Sequence, residues 1–71
     1  MLKLSARNQF AGTITEIRKG VTTTHVKIEV APGVVLTASI TNESAEELGL
    51  AVGARAVAVV KASDVMIGTE G

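Results

Sequence analysis

The chain has 71 residues, seven basic and seven acidic side chains and a formal net charge of zero. Its length allows one small domain over 1–71, and the balanced charge argues against a non-specific nucleic-acid binder, which normally carries a clear basic excess. The chain has no cysteine and one histidine, so a disulfide, a structural zinc site or another direct protein–metal bond is not expected.

Hydrophobic residues make up 46% of the chain, although Phe10 is its only aromatic residue. An aliphatic core this small cannot easily hide so much apolar surface, and we therefore expect a homo-oligomer. The amino-terminal residues lack the apolar run of a signal peptide, and no stretch approaches the ~20 apolar residues that cross a bilayer. The sequence accordingly predicts a cytoplasmic location and no membrane partner.

The spacing of apolar residues predicts a mainly all-β chain. In 24–30 they alternate with polar residues, a period of two that is typical of a half-buried strand. Pro32 and Gly33 then favour a turn, and hence a hairpin with the next strand. In the first strand the apolar register shifts between Ile14 and Ile17, which predicts a bulge. The predicted strands are 10–18, 24–30, 34–40, 55–61 and 65–67.

One short helix is predicted over 42–48. Thr41 or Asn42 can cap its start, acidic residues follow in its first turns, and Gly49 suits the position after its end. Five short strands with one helix between the third and the fourth are typical of a small barrel of the oligonucleotide-binding (OB) type. We expect the tail, 68–71, to be flexible.

Arg7 is the sharpest candidate for binding chemistry. Its guanidinium presents a planar fork of donors that matches two oxygens of an oxyanion. Ser5 lies two residues away, so on an extended strand both side chains point to the same face. The alternative is a solvated surface arginine in a loosely held amino-terminal segment, which is the commoner case in small proteins.

Thr41 and Ser44 lie three residues apart at the start of the predicted helix. Their hydroxyls and the free N–H groups of the first turn converge where the helix dipole favours an anion. Plain capping, with Thr41 bonded to the Ser44 amide, explains the pair without a ligand and is the commoner case. The two interpretations are compatible, because capping residues and oxyanion ligands occupy the same place.

A third segment, 61–63, follows a predicted strand and exposes backbone amides there. Lys61 can supply charge and Ser63 a hydroxyl, although a solvated lysine at a strand end is the commoner arrangement. With the two pairs above, this segment looks like part of a pocket for a small tetrahedral oxyanion. The sequence shows no nucleophile with its base and no pair of carboxylates, so we predict a binding protein and not an enzyme.

Five segments, in one order and at one spacing, resemble the molbindins, which are stand-alone molybdate-binding Mop domains. They are Ser-Ala-Arg-Asn-Gln (5–9), Gly-Thr-Ile-Thr-Glu-Ile (12–17), Ile-Thr-Asn-Glu-Ser (40–44), Glu-Leu-Gly-Leu (47–50) and Val-Lys-Ala-Ser-Asp-Val-Met-Ile (60–67). The resemblance covers nearly the whole chain. It implies an OB-like five-stranded barrel, assembled as a homo-hexamer that is a trimer of dimers. It also implies that molybdate or tungstate binds between subunits, with no catalytic cofactor.

The resemblance further implies which residues bind the dianion. They would be Ser5, Arg7, Lys61, Ala62 and Ser63 from one subunit, and Thr41 and Ser44 from its partner. A second class of site, near the threefold axis, would use Gly20, Val21 and Thr22. Family members often have Gly-Ala-Val-Asn or Gly-Ala-Val-Thr in this region, and this chain departs from that pattern.

The sequence therefore predicts an intracellular molybdate- or tungstate-binding protein for molybdenum storage and homeostasis. Sulfate is smaller and would leave donors out of reach. One alternative is a regulatory or oligomerisation module. Because the chain begins at Met1 and has no helix-turn-helix or ATPase segment, we expect such a module to act through a separate partner. An OB-type nucleic-acid module is the weaker alternative, since a single aromatic residue offers little for base stacking.

Overall fold

The computed structural model describes residues 3–71, which form four strands, one α-helix and one turn of 3-10 helix. In chain order these are β1 (Asn8–Lys19), β2 (Thr23–Ala31), β3 (Val34–Thr41), α1 (Asn42–Leu48), β4 (Arg55–Val60) and the 3-10 turn (Ala62–Asp64). The strands form one antiparallel sheet in the order β3-β2-β1-β4, which curls into a half-barrel. The predicted mainly β chain with one short helix is confirmed.

The prediction of a fifth strand over 65–67 is wrong for the chain that the structure describes. These residues follow the 3-10 turn and pair with no strand of the sheet. Met66 and Ile67 are 92% and 88% exposed, so the apolar pattern that suggested a strand is not buried against this chain. A strand forms where a neighbouring edge pairs with its backbone groups, and local sequence does not show whether that edge is present. The homo-hexamer stays a prediction.

β1 bends so that its two halves pair with different neighbours. Its first half pairs with β4, beginning with Asn8 opposite Val60. Its second half pairs with β2, and the register shifts between Ile14 and Glu16. This shift confirms the predicted bulge, which places an extra residue in one strand, increases its local twist and helps the sheet to curl.

The core lies between β1 and β2, where Ile14, Val26 and Ile28 are buried. Gly12 allows a close approach of the two strands, because a Cβ on this residue would overlap the carbonyl oxygen of Glu29 and lie 3.0 Å from the Cγ1 of Ile28. An apolar groove of about 150 Å³ remains open beside this core. The single chain thus buries few apolar side chains fully, which fits the oligomer expected from composition.

The helix α1 has the predicted caps. Thr41 is extended, and its Oγ1 accepts a hydrogen bond from the Ser44 N–H at 3.1 Å, so Thr41 and not Asn42 is the N-cap. Gly49 has a φ of 62°, in the left-handed region, and its N–H closes the last turn. Among residues 3–71, no helix is long and apolar enough to cross a membrane.

Candidate functional site

The first and third predicted segments meet at one end of the β1–β4 pair. Asn8 pairs with Val60, and its Nδ2 donates to the Val60 carbonyl oxygen at 3.1 Å. Because the two strands are antiparallel, the residues before Asn8 and those after Val60 emerge side by side. We call these residues the strand-end cluster. Its members are Ser5, Arg7, Lys61, Ala62 and Ser63, and all five are exposed.

Two cations give the strand-end cluster its charge. In the described part of the chain, the ion pairs are Arg18 with Glu16 at 3.9 Å and Lys19 with Glu46 at 3.7 Å. No such pair there includes Arg7 or Lys61, so both charges are available to an anion. A guanidinium and an ammonium together can neutralise a dianion.

The 3-10 turn adds backbone donors to the same cluster. The Asp64 N–H donates to the Lys61 carbonyl at 2.9 Å, and the Val65 N–H to that of Ala62 at 3.3 Å. Within residues 3–71 the N–H groups of Ala62 and Ser63 donate to no partner, as expected at the start of such a turn. The chemical role of Ala62 is therefore its amide, because its side chain has no polar atom.

The helix start holds the other predicted pair, Thr41 and Ser44, which we call the helix-start cluster. The Thr41 hydroxyl donates to the Ser44 Oγ at 2.9 Å and accepts from the Ser44 N–H. The capping of α1 by Thr41 is thus confirmed. It leaves the hydroxyl hydrogen of Ser44 without an acceptor among the described residues, and this group can still donate to a ligand.

The segment predicted for a second site, which we call the 20–22 loop (Gly20, Val21, Thr22), lies against the helix start. Val21 and Thr22 line an open groove of about 360 Å³ together with Thr41, Asn42 and Glu43. Sequence reasoning missed the last two as members of this surface. The only signal for Asn42 was its place as a possible cap. Glu43 brings a carboxylate to the groove and therefore opposes an anion there.

The strand-end cluster and the helix-start cluster lie at opposite ends of β1. The first adjoins the amino end of β1 and the second the carboxyl end, since Lys19 pairs with Thr24 and Thr23 pairs with Thr41. At about 3.3 Å per residue, a straight strand of this length is roughly 40 Å long, and the bulge shortens it somewhat. The longest dimension of the chain is 38 Å. One small anion therefore cannot contact both clusters of the same chain.

The described residues contain no group of three or more His, Cys, Asp or Glu side chains that could hold a metal ion. Their donors are instead cations, amides and hydroxyls. This chemistry suits an intact oxyanion, in which the protein contacts oxygen atoms and not the metal.

Comparison with known proteins assigns the chain to a family. The TOBE domain matches residues 4–67. The chain belongs to the TOBE domain family. Molybdenum-pterin-binding protein 2 from Clostridium pasteurianum is 47% identical over 66 residues, which cover 93% of this chain and 97% of that protein. The resemblance to small Mop proteins is thereby confirmed.

Two further proteins place this TOBE domain in context. The high-resolution structure of a molybdate binding protein from Sporomusa ovata superposes with a TM-score of 0.89 at 32% identity, covering 96% of this chain and all of that one. Transcriptional regulator ModE from Yersinia pestis is 41% identical over 70 residues, which cover 97% of this chain but 27% of that protein. The domain thus occurs both in small proteins and within a larger regulator.

Proposed function

We propose that this TOBE domain binds molybdate or tungstate as the intact tetrahedral dianion. Two relatives that it matches over nearly their full length are named for binding molybdenum-pterin or molybdate. The strand-end cluster adds matching chemistry, because two cations and two unpaired amides can each point a hydrogen at an oxygen atom. A hydrogen bond to a charged group contributes about 1.5–3 kcal/mol, so a few of them suffice for tight binding.

The binding site lies between subunits in this proposal. The observation that carries it is the separation of the two clusters along β1. If both contact one dianion, the strand-end cluster of one chain must meet the helix-start cluster of another. A homo-hexamer built as a trimer of dimers would repeat this contact by symmetry. Such contacts would also cover exposed apolar side chains such as those of Val21 and Met66, which are 97% and 92% exposed.

We extend the proposal to storage and homeostasis of the oxyanion, which the same chemistry supports. The proposed site contains no nucleophile–base pair, so the ligand would leave unchanged. Neutral amides and hydroxyls supply many of the donors, which favours binding that is tight but reversible. A rigid set of donors spaced for molybdate or tungstate would reach the smaller sulfate poorly. We place this role in the cytoplasm, with the second site at the 20–22 loop.

Native mass spectrometry with molybdate tests the proposal, with sulfate as the control ligand. We expect a hexamer that gains several molybdate masses and none from sulfate. Arg7→Ala should remove most of this gain, whereas Arg18→Ala, which changes an arginine already paired with Glu16, should not. A monomer or dimer that is indifferent to molybdate would contradict the intersubunit site.

A regulatory module is the second candidate, because the same domain forms about a quarter of Transcriptional regulator ModE. In that case molybdate would change the affinity of this chain for a partner protein, and not only fill a store. Affinity purification with and without molybdate separates the two roles: storage predicts no partner whose recovery depends on molybdate. A gel shift with single-stranded DNA at low salt should show no binding, since the chain has zero net charge.

A further inference from the structure

Asn42 makes more hydrogen bonds than its place as the first residue of α1 requires. Its Nδ2 donates to the Gly20 and Val21 carbonyl oxygens, both at 3.1 Å. Its backbone N–H donates to the Thr22 carbonyl oxygen at 3.0 Å. Three successive carbonyls of the 20–22 loop therefore point at one residue of the helix start.

Thr24 fixes the orientation of the Asn42 amide. Its Oγ1 donates to the Asn42 Oδ1 at 2.6 Å, and Thr24 is 2% exposed. The reverse amide orientation would set Oδ1 against two carbonyl oxygens, which cannot donate. The side chain of Asn42 thus has its donors and its acceptor satisfied in a single arrangement. Asn42 is half-buried, but its loss would leave the hydroxyl of the buried Thr24 without its acceptor, which is costly.

The inward carbonyls determine where the amides of the loop point. In a trans peptide the C=O and the following N–H point in opposite directions, and residues 3–71 contain no cis peptide. The N–H groups of Val21 and Thr22 are consequently turned away from Asn42. Within the described residues neither donates a hydrogen bond. They are two adjacent unpaired donors beside the groove that Thr41 also lines.

We propose that Asn42 is a positioning residue that couples the helix-start cluster to the 20–22 loop. It holds the loop amides outward and is adjacent to Thr41 in the sequence. A shift of the helix-start cluster is therefore transmitted to the 20–22 loop, and a shift of the loop to the cluster. This inference rests on the proposed oxyanion binding at both places. Its consequence is that loss of the Asn42 side chain weakens both classes of site, although Asn42 itself directs no free donor at a ligand.

Three variants test this coupling by calorimetric titration with molybdate. Asn42→Ala removes the tie and should weaken both classes of site at least tenfold. Thr24→Val removes only the hydroxyl that orients the amide, and a smaller, severalfold loss is expected. Thr24→Ser keeps the hydroxyl and should restore nearly normal affinity. Asn8→Ala is the matched control, because the side-chain amide of Asn8 holds the strand-end cluster and not the loop. This variant should weaken only the site that the strand-end and helix-start clusters share.

Amide NMR spectra give a readout that does not depend on ligand. In Asn42→Ala the resonances of Val21 and Thr22 should shift without molybdate, while those of Ala62 and Ser63 stay in place. If wild-type protein binds no molybdate, the proposed function fails, whatever the variants do. If wild-type protein binds and Asn42→Ala, folded and with unchanged oligomer mass, keeps both affinities within twofold, the coupling role of Asn42 is overturned.

Discussion

Mixing two defective variants gives the sharpest test of an intersubunit site. Arg7→Ala removes a cation from the strand-end cluster. Thr41→Asp places a carboxylate in the helix-start cluster while keeping a residue that is a good N-cap, so α1 should persist. Each variant alone should bind molybdate poorly. The two substitutions lie at opposite ends of β1. A site that combines the unaltered cluster of one variant with the unaltered cluster of the other therefore contains neither substitution.

The expected losses follow from the chemistry of each group. Arg7 would make charge-assisted hydrogen bonds worth about 1.5–3 kcal/mol, or about a 10- to 150-fold change in affinity. A carboxylate about 4 Å from a dianion is repelled by about 2 kcal/mol even at the dielectric constant of water, or about 30-fold. Titration near the wild-type dissociation constant therefore separates intact from damaged sites.

Random assembly sets the size of the rescue. The two variants are refolded together in equal amounts. A site is then intact only if its strand-end cluster comes from a Thr41→Asp chain, which keeps Arg7, and its helix-start cluster comes from an Arg7→Ala chain, which keeps Thr41. That combination arises in about a quarter of sites if each site joins two chains. Bound molybdate, measured by equilibrium dialysis, should therefore recover to about a quarter of the wild-type value by the same arithmetic.

A control mixture makes the result specific. Arg7→Ala and Lys61→Ala alter the same cluster, so every chain in their mixture lacks one of the two cations. A site that takes its whole strand-end cluster from one chain therefore stays damaged. Only a site that took Arg7 and Lys61 from different subunits could regain both. We expect no rescue from this pair. Absence of rescue from Arg7→Ala with Thr41→Asp would refute the two-chain site, and rescue from the control pair would refute the composition of the strand-end cluster.

Three further predictions concern stability and charge. Gly12→Ala should destabilise the fold by about 2–3 kcal/mol in urea unfolding, because its Cβ overlaps the Glu29 carbonyl, whereas Gly68→Ala meets nothing within 4 Å and should be neutral. Ile14→Ala should cost about 2–5 kcal/mol in the same assay, since Ile14 is 1% exposed. Glu43→Gln should strengthen molybdate binding about four- to sixfold at low salt by calorimetry, since a carboxylate about 8 Å from a dianion is repelled by about 1 kcal/mol in water. Unchanged affinity would place the anion away from this groove.

Local patterns in the sequence were sufficient for most of the fold. The bulge after Ile14, the hairpin turn at Gly33 and both caps of α1 each depend on residues within a few positions, and all were predicted. The fifth strand failed because apolar spacing over 65–67 shows that a segment can be buried, not what buries it. Pairing depends on a distant edge, which short-range pattern does not reveal.

The candidate site, like the fold, was predictable from the sequence only in part. Sequence spacing identified donors, but only the register of β1 with β4 shows that Arg7 and Lys61, 54 positions apart in the sequence, emerge together. The register with β2 then shows that Thr41 lies at the far end of the same strand. Asn42 was missed because its three carbonyl partners lie on a loop about 20 residues earlier, and a possible capping role already accounted for it.

Zero net charge is compatible with binding a dianion, because charge is distributed unevenly over this chain. In the described residues Arg18 and Lys19 each face a carboxylate, and these exposed pairs contribute little to either stability or binding. Arg7 and Lys61 have no such partner in that part of the chain. The overall sum therefore argues against a polyanion such as nucleic acid as the ligand, because a polyanion needs a broad basic surface. It does not exclude a compact dianion, which needs only two cations and several dipoles within a few ångströms.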